Sequence, residues 1–242
     1  YHNPVLLKES VDGLNIKPDG VYVDVTFGGG GHSAEILSRL GENGKLFGFD
    51  QDPDALENKI DDPRFTLIPE NFRFIKRFLR FHNVKIVDGI LGDFGVSSHQ
   101  FNVAERGFST RFDAKLDMRM NQKSSLSAYE VINEYDQEHL KKLFYEYADL
   151  RIAPKLAAEI VKAREEEPID SSERLKEVLK PFLFKEKEHK ILAQIYQAIR
   201  IEVNQELDVL KEFLLQTPDL LKKGGRLSLI SYHSLEDRLV KR

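Results

Sequence analysis

The stretch DVTFGGGGH, Asp24–His32, decides the fold: the apolar run GVYVDV leads through an acid into four consecutive glycines, and a helix-like segment, SAEILSRLG, follows. A glycine-rich turn between a first strand and a first helix is where doubly wound sheets hold nucleotides. Backbone N–H groups and the helix N-terminus approach the ligand there with no side chain in the way. Four glycines each lose backbone entropy on folding, so a turn with no ligand is a weak explanation.

Three ligand classes compete for such a loop. A nucleoside triphosphate calls for GxxxxGK[ST], but here Gly31 is followed by His32 and Ser33, with no lysine. A dinucleotide calls for GxGxxG, and counting from Gly28 the third glycine falls on Ser33. S-adenosylmethionine fits a loop of this kind: its methionine end rests on the glycines, and Asp24 suits the cationic end. Asp50, at the tip of the next apolar run, is placed to accept hydrogen bonds from both ribose hydroxyls. An acid there serves NAD equally well.

Outward from the loop, short β-like runs alternate with helical ones. Val21–Phe27 reads as a strand and SAEILSRLG as a helix closed by Gly41; Lys45–Asp50 reads as a second strand and PDALENKI as a helix opened by Pro53. RFTLIPENF reads as a third strand and Val84–Phe94 as a fourth. Alternation of this kind implies a parallel sheet with helices on both faces. From about Ala104 to Arg200 only charged helical segments occur, with Asp170 and Glu173 as a helix-start pair. Ile195, Ile199, Val203, Leu207, Leu210 and Leu214 then suggest one long helix up to Pro218, before a fifth strand at Arg226–Ser231. The expected organisation is an α/β core, residues 1–103 and 201–242, interrupted by an all-helical insertion, 104–200.

Composition narrows the chemistry. With 242 residues and 41% hydrophobic content the chain can bury a large core, and its longest apolar stretches fall short of a membrane span. A soluble, cytoplasmic protein without membrane association is expected. The chain begins at Tyr1 rather than Met and stops at Arg242, so one or both natural ends are expected to lie outside it. Cysteine is absent, which removes disulfides, thiolate metal sites and a Cys nucleophile together. The seven histidines form no ligand-like cluster, and no metal is expected. A net charge of −4 argues against a wholly basic nucleic-acid binder. The basic segment Phe72–Lys85 reads first as an amphipathic helix with Phe74, Phe78 and Phe81 on its buried stripe, and secondarily as an RNA contact.

The ordered series DVTFGGGGHS, FGFDQDPDA, DGILGDFGVSSHQ, RGFSTRFDAKLDMRM, RIEVNQEL and GGRLSLISYHSLEDR resembles the bacterial small-subunit rRNA (cytosine-N4)-methyltransferase family called RsmH, formerly MraW. The likeness starts at YHNPVLLKE and runs almost to the last residue; departures, such as Asn121 and DAKLDMRM, lie in the insertion. It implies a class I, Rossmann-like, S-adenosylmethionine-dependent methyltransferase with a helical substrate-recognition insertion. Its implied partner is 16S rRNA within the small (30S) ribosomal subunit, and its target the P-site cytidine at conventional position 1402, methylated on N4. Carried over by residue, its cofactor positions fall on Gly30, Gly31, His32, Asp50, Phe72, Asp93 and Gln100.

Methylation at carbon 5 of cytosine generally needs a Cys nucleophile, whereas an exocyclic amine needs alignment and a proton acceptor. Asp93, at the C-terminal end of the fourth strand, is the candidate acceptor as well as a cofactor contact. Ser231 and His233 of the SYHS segment and Asn204 of RIEVNQEL are candidates for the substrate pocket. Each has an ordinary structural role as its competitor: a cap for Ser231, a helix-start or core position for His233, a satisfied helix residue for Asn204. Phe72 competes with core packing beside Phe74, and Gln100 with a surface position. The LDMRM segment, Leu116–Met120, reads either as a lid or as an Asp117–Arg119 pair holding local structure. The sequence leaves the oligomeric state open, a homodimer included. The alternatives to an rRNA methyltransferase are a methyltransferase acting on another macromolecule or a small molecule, and a cofactor-binding ribosome assembly factor without turnover.

Overall fold

The computed structural model describes residues 4–183 and 187–241. Two compact units emerge: Tyr1–Ser97 with Leu207–Arg242, and Ser98–Glu206. The inserted unit is therefore wider than 104–200. At its start, α5 (Ser98–Asn102) packs on the 3-10 turn Ala104–Arg106, and at its end a single helix runs on through Asn204.

The first unit runs α1 (Leu7–Gly13), β1 (Val21–Asp24), α2 (Gly31–Arg39), β2 (Lys45–Phe49), α3 (Pro53–Leu56), β3 (Phe65–Ile68), α4 (Ile75–Phe81) and β4 (Val87–Asp93). After the insertion it resumes with α11 (from Glu206, to Leu220), β5 (Leu221–Ile230) and α12 (Ser234–Val240). The five strands lie in the order β3-β2-β1-β4-β5, every neighbouring pair parallel. This is the doubly wound order, and its direction reverses between β1 and β4, where the ligand crevice opens beyond the strands' C-terminal ends.

Period-two side chains on strands explain the two packed faces. Tyr22 and Leu46 turn to one face with Val11, Leu14, Ile36 and Leu37 of α1 and α2. Val23, Phe47, Phe49 and Ile90 turn to the other with Ile75 and Leu79 of α4 and Leu210 and Phe213 of α11. Burial of both faces is what keeps an all-parallel sheet apolar throughout.

Two expectations fail here. The buried stripe of α4 is Ile75 and Leu79, while Phe81 is 79% and Phe74 42% exposed. Ile75 and Leu79 form an i, i+4 pair of their own, one residue out of step with Phe74 and Phe78, and it is this aliphatic pair that the core takes. The single long helix is also two. α10 (Glu188–Asn204) ends at Gln205, whose φ of +51° breaks the helix, and α11 begins at the next residue. No glycine or proline marks that break.

The second unit is helical among its described residues, apart from an isolated bridge between Lys115 and Ser171. α6 (Ala128–Glu134) starts with a capping box of Ser127 and Glu130, and α7 (Gln137–Glu146) is capped by Asp136. α8 (Ala153–Glu166) leads to α9 (Ser172–Leu179), whose cap is Ser171, accepting from Arg174 N at 3.2 Å, rather than Asp170. Asp170 instead uses its carbonyl to accept from Leu116 N. Among the described residues no helix is long and apolar enough to cross a membrane.

Candidate functional site

The glycine turn is built from beneath by Asp24. This carboxylate is fully buried at the end of β1, accepts from Ser33 Oγ at 2.7 Å and Thr26 N at 3.1 Å, and so ties the strand to the first turn of α2. Burial raises its pKa, against the lowering effects of Ser33, His32 and Thr26. Each of its oxygens thus holds one contact within the fold.

The four glycines have different reasons. Gly28 and Gly30 adopt φ of +50° and +77°, where a side chain would be strained. A Cβ on Gly31 would sit 2.2 Å from Pro4 Cγ. Gly29 has neither excuse: its φ is not positive, and a Cβ there would meet nothing within 4 Å. A bare backbone facing open space is a cradle that a side chain would fill, as a closely held ligand requires.

Asp50 stands just beyond β2 and faces this loop. Its Oδ2 accepts from Gly28 N at 2.8 Å and its Oδ1 from Asp52 N at 2.9 Å. Burial pushes its pKa up to about 6, the two backbone N–H groups pull it down, and the nearby charges of Asp52 and Asp24 raise it again. Each oxygen keeps acceptor capacity for a ligand hydroxyl.

His32, in the first turn of α2, is buried, with Nε2 3.1 Å from the Val5 carbonyl. A carbonyl only accepts, so Nε2 carries the proton. Residues 4 and 5 thus strap the loop, with Pro4 on Gly31 and Val5 on His32. NPVLL carries no helix or strand pattern, so nothing local announces this strap.

Asp93 closes β4. Its N donates to Thr26 Oγ1 at 2.7 Å, linking it to the turn after β1, and its Oδ1 accepts from Tyr232 Oη at 2.7 Å. Burial raises its pKa, Tyr232 and His32 lower it, and Asp24 and Glu236 raise it further. Tyr232, which sequence reasoning passed over between Ser231 and His233, belongs to the site. Ser231 is half-buried just after β5. His233 precedes α12 but makes no side-chain cap; neither ring nitrogen has a hydrogen-bond partner among the described residues, and Nε2 lies 3.3 Å from Glu236 Oε1.

Phe72 packs not beside Phe74 but against Phe94 and Phe213, with ring centroids 5.9 and 5.4 Å away. It remains half-buried. Gly30, Gly31, His32, Asp50 and Asp93 converge on the C-terminal edge of the sheet. Gln100 is buried in α5 of the helical unit, not exposed as a surface residue.

Asn204 is not free to read a base edge with its amide N–H groups. Its Nδ2 donates to the Met118 carbonyl at 2.8 Å and the Arg200 carbonyl at 2.9 Å, and its Oδ1 accepts from Met120 N at 2.8 Å. LDMRM is a packed part of the helical unit, not a loose lid: Leu116 and Met118 are buried, and Arg119 pairs with Asp117 at 2.7 Å.

A model of the MraW methylase family matches residues 1–242. The chain belongs to this family. Among its relatives, the ribosomal RNA small subunit methyltransferase H of Christiangramia forsetii is 78% identical over the whole chain and 80% of that protein's length. The protein of the same name from Bacteroides fragilis is 58% identical, over 100% of this chain and 79% of its own. Family membership agrees with the sheet order and the glycine loop. Solved structures overlap the chain in part: an rRNA methylase from Streptococcus thermophilus is 19% identical, with a TM-score of 0.32, over 39% of this chain and 58% of that one.

Proposed function

We propose that this protein methylates N4 of a cytidine in small-subunit rRNA, at the family's P-site position 1402, with S-adenosylmethionine as methyl donor. The observation that carries the cofactor is the loop itself. Gly29 offers bare backbone to open space, and Asp50 stands opposite with acceptor capacity on both oxygens. Family membership and the name shared by relatives at 78% and 58% identity support an rRNA substrate in the small subunit.

Bound in this cradle, S-adenosylmethionine would supply an electrophilic methyl group on a sulfonium. Gly30, Gly31 and His32 would flank its methionine end, Asp50 would take the ribose hydroxyls, and the half-buried Phe72 would lie near the adenine. The family resemblance assigns Gln100 to the same set by its position in the sequence. The cytosine amine is a poor nucleophile because its lone pair is delocalised, so the protein's part is alignment and proton removal. Asp93 Oδ2 is the acceptor for the N4 proton, while Oδ1 is engaged by Tyr232. Covalent addition to the ring has no candidate here, since the chain contains no cysteine.

A cytidine in folded rRNA must leave its stack to reach such a site, at roughly a few kcal/mol. The helical unit, 98–206, is the source of the contacts that repay this. Its charges are mixed, which favours an assembled ribosomal surface over free RNA. Methyl transfer measured in parallel on assembled small subunits and on deproteinised 16S rRNA tests this: labelling of the subunits is expected, equal labelling of both would refute surface recognition, and labelling of neither would refute the function.

A further inference from the structure

The hydrogen bond between Tyr232 and Asp93 is long-range and rigidly prepared. Asp93 pairs with Ile230 in the β4–β5 ladder, and Phe94 N donates to the Ile230 carbonyl at 3.1 Å, closing the last rung. Two residues on, Tyr232 N donates to Glu236 Oε2 at 2.8 Å, and Glu236 is buried. The main chain on both sides of Tyr232 is thereby fixed. Its ring lies over Gly95, where a Cβ would stand 3.4 Å from Cδ2, yet the residue is 53% exposed. An aromatic held this firmly with half its surface open to solvent contributes little to the core; what it delivers is one phenolic O–H to one carboxylate oxygen.

We propose that Tyr232 is the positioning residue of the reaction: its hydroxyl, bonded to Oδ1, holds Asp93 as the proton acceptor whose Oδ2 faces the substrate amine. This rests on the methyl-transfer reading given above. The groups facing Asp93 are Asp24 from β1, His32 from α2, Glu236 from α12 and Tyr232 itself. Asp24 and Glu236 push towards protonation, as does burial, while Tyr232 and His32 oppose them. Tyr232 is the opposing group that bonds the carboxylate directly. Its proton is secure, since burial and the Asp93 contact both raise the phenol above its ordinary pKa.

Tyr232→Phe removes the hydroxyl and leaves the ring over Gly95. In methyl transfer to small subunits, the acid limb of kcat/KM should move to higher pH by about half a unit or more, with activity recovering towards wild type on the alkaline side. An unmoved limb would overturn the assignment. A second readout needs no turnover: the 13C-detected titration of the Asp93 carboxyl, assigned through Asp93→Asn, should have a higher midpoint in the Phe variant, and an equal midpoint would refute the proposal. If wild-type protein transfers no methyl group, the functional reading fails, and this titration still decides the Tyr232–Asp93 linkage.

Discussion

Replacing Asp50 by Ala should separate ligand binding from folding. The rise of its pKa from 3.8 to about 6 corresponds to ~3 kcal/mol disfavouring the ionised form in the ligand-free protein. The variant is relieved of that penalty but removes the acceptor of Gly28 N, a loss of about 1–3 kcal/mol, so net stability near neutral pH should change little. Binding should change much more. Hydrogen bonds from hydroxyls to a charged acceptor contribute about 1.5–3 kcal/mol, so the dissociation constant should rise roughly ten- to 150-fold. The sign of the pH effect follows from the raised pKa. Asp50 contributes stability to the ligand-free protein below its unfolded value near 3.8, and this is lost as pH rises through about 6. Ligand affinity runs the other way, weakening in wild type as pH falls below about 6 and the acceptor is neutralised. Calorimetry with S-adenosylhomocysteine, whose sulfur is uncharged, isolates this effect. An Asp50→Ala protein that binds as tightly as wild type, with the same pH dependence, would refute the ribose-acceptor role.

Gly29→Ala should leave thermal stability unchanged and lower cofactor affinity, because its Cβ enters open space; Gly31→Ala should destabilise by about 1–3 kcal/mol, because its Cβ overlaps Pro4. Both are read by thermal melts beside calorimetry, and a Gly29 variant with unimpaired binding would contradict the cradle. Asn204→Ala should cost about 1–3 kcal/mol in urea denaturation, since it strands Met120 N and two carbonyls. Phe81→Ser should shift stability by no more than about 0.5 kcal/mol, whereas Leu79→Ala should lose about 2–5, a contrast that checks the phase of α4 in the same denaturation experiment.

The strands, the glycine loop and the acids at the ends of β1, β2 and β4 were legible because each is local: a short apolar run, a turn composition, a residue at a strand tip. What escaped the sequence is contact between distant segments. Pro4 over Gly31, Val5 against His32, and Tyr232 on Asp93 join residues whose own surroundings say nothing of their partners. The contacts of Asn204 were hidden for the same reason, since the amide is held by backbone 84 and 86 residues away. The faces of α4 were misread because two i, i+4 apolar pairs one residue apart compete in that segment, and the break at Gln205 went unseen because a non-glycine residue takes the left-handed conformation there.

Transfer of labelled methyl from S-adenosylmethionine to small ribosomal subunits lacking the modification, followed by nucleoside analysis of the rRNA, tests the central claim most directly. The account predicts label in N4-methylcytidine at a single site. Label in any other nucleoside, or none despite tight cofactor binding, would contradict it.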